Sequence, residues 1–204
     1  NSTAANDAYG QCATWGGNGL CGGSGRQYDA QGVGRNSNDV NRWFSADIGS
    51  SPLGFPIANR LGDIEFAPHL TKDLVLRLRG GREMVTNSEL SYAGVKDPVS
   101  GRTWGGVTRE YGQGMFEWVR QLWSLYAGAG FAYLDGTHVI SNPEVDAHAG
   151  GLATLWNDPE RPRVRAGVAF SSYGYRRHSD PFTWWPGGYF SPQHYSAILF
   201  PLDW

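Results

Sequence analysis

Charge of either sign is scarce in this sequence. Its 204 residues hold 17 Lys and Arg against 19 Asp and Glu, for a net charge of -2, and only two cysteines. So even a balance offers no basic field for a phosphate backbone, and the basic residues gather only in pairs such as Arg176-Arg177, which excludes nucleic acid as an expected partner. No apolar run approaches the ~18 residues of a membrane helix. Asn1 to Asn6 carries neither a basic nor an apolar leader region, so any export signal is expected upstream. The mean hydropathy of -0.43 decides nothing about strands, because a transmembrane strand of ~10 residues is apolar only at every second position. The histidines, His69, His138, His148, His178 and His194, are scattered, so no metal site and no cofactor are expected.

What is abundant is glycine, 29 residues, and aromatics, 14% against 18% charged, a profile of an all-β chain with many tight turns. The length suits one domain. Residues 1–38 are rich in Gly, Asn and Ser and read as an irregular segment or loop; residues 39–204 carry the strands. Cys12 and Cys21 flank Gly16-Gly17-Asn18-Gly19. Their spacing is too wide for a redox pair and lacks companions for zinc, so a local disulfide in an oxidising compartment is preferred, with two free thiols as the alternative.

A period of two begins near Asn41, where Phe44, Ala46 and Ile48 oppose Trp43, Ser45 and Asp47. Leu74, Leu76 and Leu78 oppose Asp73, Arg77 and Arg79. Between Leu122 and Leu134, Trp123, Leu125, Ala127, Ala129, Phe131 and Tyr133 share a face against Ser124, Tyr126, Gly128, Gly130 and Ala132. From Arg163 to Tyr175, Val164, Ala166, Val168 and Phe170 oppose Arg163, Arg165, Gly167, Ala169, Ser171 and Tyr173. Turn material at Asp97-Pro98, Ser100-Gly101, Asp135-Gly136, Asn142-Pro143, Asp158-Pro159 and Pro186-Gly187-Gly188 divides roughly eight strands, fewer if Gly105 to Arg120 is irregular. Only Met115 to Leu125 passes for a helix, and its glycine-rich continuation argues against one. Alternation alone fits a soluble sandwich as well as a membrane barrel. Ala-rich apolar faces with aromatic ends, opposite faces mixing Arg, Asp, Ser, Gly and Tyr, favour the antiparallel transmembrane β-barrel.

Ser50-Ser51-Pro52-Leu53-Gly54-Phe55-Pro56, then Leu90-Ser91-Tyr92-Ala93-Gly94-Val95-Lys96-Asp97-Pro98, Gly101-Arg102-Thr103-Trp104-Gly105-Gly106-Val107 and, near the end, Gly187-Gly188-Tyr189-Phe190-Ser191-Pro192-Gln193-His194-Tyr195, together resemble the C-terminal barrel region of the cellulose synthase operon protein C family. The resemblance runs from about Asn41 to the last residue. It implies a bacterial outer-membrane conduit for cellulose or a related β-glucan in exopolysaccharide and biofilm production, in contact with outer-membrane lipid. It also implies a link to the inner-membrane cellulose synthase complex through a periplasmic repeat scaffold, which this sequence lacks. The family's barrel is about sixteen strands, so these strands are expected to be part of a larger barrel, incomplete at the C-terminal end. Pro201 removes a ladder donor from the final strand, and Trp204 is read as a coincidence of truncation.

A sliding glucan ribbon calls for aromatic platforms and exchangeable polar partners. The candidate lumen residues are Asp47, Asp73, Arg77, Arg79, Ser124, Tyr126, Arg163, Arg165, Ser171 and Tyr173; the alternative is that the charged ones pair across strands to stiffen the wall. Tyr92, Trp104 and Tyr189 are the loop or gate candidates. A glycosidase would need an acid and a base. Asp63 and Glu65 share a strand face, but nothing else converges on them, so no catalytic residue is assigned and the chain is read as a conduit, not an enzyme. Asp146 and His148, two apart, read as an exposed strand contact. The alternative from another class is a secreted carbohydrate-binding β-sandwich that uses exposed Trp and Tyr.

Overall fold

The computed structural model describes residues 43–52, 54–156, 164–181 and 184–203. Residues 1–38, the Cys12 and Cys21 pair, Leu53, Asp158-Pro159, Arg163 and Trp204 lie outside the described residues. The strands are β1 (Phe44–Ser50), β2 (Arg60–Phe66), β3 (Leu74–Met84), β4 (Val95–Lys96), β5 (Thr103–Val119), β6 (Trp123–Thr137), β7 (Val139–Trp156), β8 (Val164–Tyr175), β9 (Tyr195–Leu199) and β10 (Leu202–Asp203), with one short helix, α1 (Glu89–Tyr92). All pairing between strands is antiparallel, in the order β1-β2-β3-β5-β6-β7-β8, with β9 and β10 both on β8 and β4 a side hairpin on β5. Each strand of that path therefore lies beside its sequence neighbour, the up-and-down order of a barrel wall. Among the described residues β1 does not pair with β9 or β10, so the sheet is not closed.

The period of two becomes two chemically distinct faces. On the outer face Ile48, Ile64, Phe116, Phe131, Val145, Val168 and Phe170 are all exposed, Ile48 by 91%. A sandwich would cover such residues with a second sheet; among the described residues one sheet path carries them and nothing lies over it. The inner face reads Asp63 and Glu65 on β2, Arg77 and Arg79 on β3, Arg109 to Glu117 in alternation on β5, and Glu144 to His148 on β7. Several of these are buried, among them Arg79, Tyr111, Met115, Glu144 and His148.

Two expected turns need correction, and one open alternative is settled. Gly105 to Val119 is regular and belongs to the 17-residue β5, whose glycines Gly112 and Gly114 sit where a Cβ would meet the facing Phe131 and Leu78 side chains at 3.0 and 3.4 Å. Asp135-Gly136 and Asn142-Pro143 are not turns; they lie within β6 and β7, and the chain reverses at His138, which takes φ 53°. Asp73, a lumen candidate, stands just before β3, next to the Leu74 and Trp118 pair. It accepts Val119 N through its carbonyl at 2.8 Å and meets Arg120 at 3.4 Å. The break at Pro201 is present, separating β9 from β10, and its carbonyl still accepts Gly167 N at 3.0 Å.

Candidate functional site

The inner wall is held by arginines that bridge strands. Arg77 donates to Glu117 on β5 at 3.1 and 3.2 Å and to Glu65 on β2; Arg79 meets Asp63 at 3.3 Å. Each of these pairs is diagonal in the register, since Glu65 stands opposite Arg79, Asp63 opposite Gly81 and Glu117 opposite Val75, so alternation on neighbouring strands sets opposite charges within reach. Arg109 is the hub. Its guanidinium takes Glu83 at 3.1 Å, Glu144 at 2.9 and 3.3 Å, and Asp146 at 3.7 Å, reaching across β6 to β7. Tyr111 lies between two cations, Arg79 at 5.6 Å and Arg109 at 5.1 Å from its ring.

The half of the wall made by β6, β7 and β8 is different. Here large side chains lie over the glycine directly opposite them. Tyr126 faces Gly150, His148 faces Gly128 and Asp146 faces Gly130 in the register. In each case a Cβ on the glycine would come within 2.6 Å of the facing side chain. Tyr126 and His148 stack, with centroids 5.9 Å apart and planes 28° apart. His148 is 8% exposed, so the Asp146 and His148 pair is an inner-wall contact at 3.8 Å and not the exposed contact expected from spacing.

One end of the sheet is filled. Val85, Val107, Tyr111, Ala132, Leu134, Val139, Tyr173, Tyr175 and Tyr189 form the buried apolar cluster, built where the inner positions of β5, β6, β7 and β8 become apolar and the segment between β8 and β9 folds against them. Asn142 clamps the start of that segment: its amide donates to Arg177 O at 2.8 Å and accepts Arg177 N at 2.9 Å. Ser191, fully buried, accepts Ser179 N at 2.6 Å, while Asp180 accepts Ser191 N at 2.7 Å. The segment between β3 and β5 meets it. Ser88 and Ser91 cap α1 reciprocally, Ser91 N donating to Ser88 Oγ at 3.1 Å and Ser88 N to Ser91 Oγ at 3.0 Å. Gly105, at φ 97°, passes so close that a Cβ would stand 2.2 Å from Leu90 O, and Gly188 packs on the Leu90 side chain. The β1–β2 loop joins them through Asn59, which donates to Gly106 O at 3.0 Å. In the turn before β5, Ser100 first, then the Val99 and Ser100 backbones, hydrogen-bond the Asp97 carboxylate and hold it below its usual titration range.

The sequence-derived candidates thus divide. Arg77, Arg79, Ser124, Tyr126, Arg165, Ser171 and Tyr173 occupy inner-face register positions, and Asp47 pairs in register with Asp63. Tyr92 packs edge-on to Phe55 at 4.9 Å, Trp104 lies 5.3 Å from Trp184, and Tyr189 is 1% exposed; these three belong to the filled end. Sequence reading missed Arg109, Glu83 and Glu144, and took Asp146 and His148 for an exposed contact only. The alternation Arg109, Tyr111, Gln113 was the available signal, obscured by the glycines around it.

The model of a protein family described as "Cellulose synthase operon protein C C-terminus" matches residues 1–204. The chain is 56% identical over 177 residues to Cellulose synthase 2 operon protein C of Komagataeibacter xylinus, covering 87% of this chain and 14% of that protein. It is 40% identical to a Cellulose synthase operon protein C of the same species, over 80% of this chain and 12% of the relative. To the protein of that name from Xanthomonas axonopodis pv. citri (strain 306) it is 34% identical, over 86% and 12%. The chain therefore spans about one seventh of the length of the curated relatives it matches.

Proposed function

Because the chain belongs to the cellulose synthase operon protein C family, as its C-terminal region, we propose that it forms part of the wall of an outer-membrane conduit through which cellulose or a related β-glucan leaves the cell. The observation that carries this reading is the division of one sheet into an uncovered apolar outer face and a charged inner face. Along β6 the outer apolar positions run from Trp123 to Tyr133, about ten steps, or ~34 Å along the strand at ~3.4 Å per residue. Tilted by ~40°, that run rises roughly 26 Å, close to the ~25 Å apolar band of an outer-membrane barrel. Trp118 and Trp123, 4.5 Å apart, stand at one edge of the band. Beyond the other edge lie the outward Arg82 and Glu110, a 3.5 Å pair suited to water and lipid headgroups.

The Trp118 end has the three-residue β5–β6 turn, Arg120 to Leu122, while the opposite end carries the long interlocked loops beside the tight reversal at His138. Short turns face the periplasm and long loops the exterior in bacterial barrels, so the filled end is the exit and Tyr92, Trp104 and Tyr189 brace its gate. The conduit performs no chemistry in this reading: Asp63 and Glu65, the strand-face carboxylates that hydrolysis would use, are each engaged by an arginine. The partners that go with it are the glucan, outer-membrane lipid and, through the family's periplasmic scaffold, the inner-membrane synthase.

The test is fractionation followed by electrophoresis in mild detergent. Recovery with outer membranes and a faster-migrating unheated band are expected, and purified protein should render liposomes permeable to cello-oligosaccharides. A protein that remains in the aqueous fraction and shows no heat-dependent mobility overturns the reading.

A further inference from the structure

The inner wall has two unlike halves. On β2, β3 and β5 it carries charged side chains tied to one another, Asp63, Glu65, Arg77, Arg79, Arg109 and Glu117, with Tyr111, Gln113 and Met115 between the charges of β5. On β6, β7 and β8 the inner positions include Gly128, Gly130, Gly150, Gly167, Ala169 and Ser171. The larger neighbours do not rise from this floor. A Cβ on Gly150 would stand 2.6 Å from Tyr126 Oη and 2.8 Å from its Cζ, so the phenol reaches across from β6 and lies on β7; His148 makes the reverse crossing over Gly128, 2.6 Å from such a Cβ. The two rings are stacked, with centroids 5.9 Å and planes only 28° apart; an Asp146 carboxylate oxygen stands 3.8 Å from His148 Nδ1, and Asp146 in turn lies 3.7 Å from Arg109.

We propose that this glycine-floored strip is a sugar subsite, in which the Tyr126 ring, backed by His148, takes the apolar face of a passing β-glucan pyranose while the charged half of the wall faces the chain's hydroxyl edges. This rests on the conduit reading and adds to it where and how the glucan touches the wall. Sugar C–H groups stack on an aromatic face without directional bonds that must break at each step, which suits a chain that slides. A ring lying on glycine offers its face to the lumen; a Cβ at Gly150 would lift the ring off the wall and narrow the passage. His148 is a positioning residue here, since it is 8% exposed.

The experiment places Tyr126→Leu and Tyr126→Phe in the chromosomal copy, purifies each protein from its own cells, confirms its heat-modifiable band, and measures block of single-channel current by cellohexaose in planar bilayers. Tyr126→Leu keeps bulk and loses the ring face. It should weaken block roughly three- to tenfold, the range of one aromatic contact, while Tyr126→Phe blocks like the unaltered protein. Equal block by the Leu variant, or equal weakening by Leu and Phe, overturns the subsite and leaves the conduit standing. Unaltered protein that forms no pore, or a pore that cellohexaose never blocks, overturns the conduit reading itself.

Discussion

Removing the Arg109 guanidinium should cost more stability than any other single charge deletion on this sheet. Its side chain is 16% exposed and its three carboxylate neighbours, Glu144, Asp146 and Glu83, are 3%, 13% and 24% exposed. In Arg109→Met the methionine fills most of the volume, but three carboxylates, Glu83 on β3 and Glu144 and Asp146 on β7, lose their common counter-ion away from bulk water. Breaking one partner out of such a buried group costs about 3–5 kcal/mol, chiefly from the charges left behind. Arg82→Met is the internal control. Arg82 also bridges β3 to β5, pairing with Glu110 at 3.5 Å, but the two side chains are 45% and 60% exposed, so screening by solvent limits the loss to about 0–1 kcal/mol. Urea unfolding in lipid vesicles, followed by tryptophan fluorescence, measures both. Adding Glu144→Gln to Arg109→Met should recover ~1–3 kcal/mol, because the worst of the uncompensated charge is then gone. Equal losses for Arg109→Met and Arg82→Met, or no recovery in the double variant, would refute the idea that the wall is stiffened by a buried ionic hub.

Ala129→Arg, in the middle of the outer apolar run, should destabilise the membrane-inserted protein by about 2–4 kcal/mol; a neutral effect in the same vesicle assay would mean that this face meets water. Gly105→Ala should loosen the gate without melting the wall, since the new methyl would overlap Leu90 O in a left-handed backbone. Faster amide exchange confined to residues 85–106 and 176–194 is the expected signature, and uniform exchange across all strands the contrary one. The Asp97 carboxyl titrates below its ordinary value because Ser100 and the turn amides bind its charged form. Its contribution to the turn is therefore present above the ~3.9 of an unfolded Asp and is lost as pH falls through the lower folded value. Carboxyl-carbon NMR should show that low midpoint moving up in Ser100→Ala, and an unchanged midpoint would remove Ser100 as the cause.

Much of this protein was legible one residue at a time. A period of two needs no partner to be read, so the faces of β3, β6 and β8 follow from Leu74 to Leu78, Trp123 to Tyr133 and Val164 to Phe170, and Pro201 announces its own break because it has no N–H to give. The paired loop motifs pointed to the family for a similar reason, as contiguous strings. What sequence reading could not supply was anything that depends on which strand lies opposite which. Glycine-rich β5 was left open between strand and irregular chain because a glycine lowers strand propensity locally, whereas Phe131 and Leu78 on the neighbouring strands occupy the space its missing side chains leave. Asp146 and His148 passed for an exposed pair because their burial comes from Gly128 and Gly130 across the ladder and from Arg109 two strands away. Alternation assigned each side chain to a face; register and curvature, set by antiparallel pairing over the whole sheet, decided which of those side chains meet.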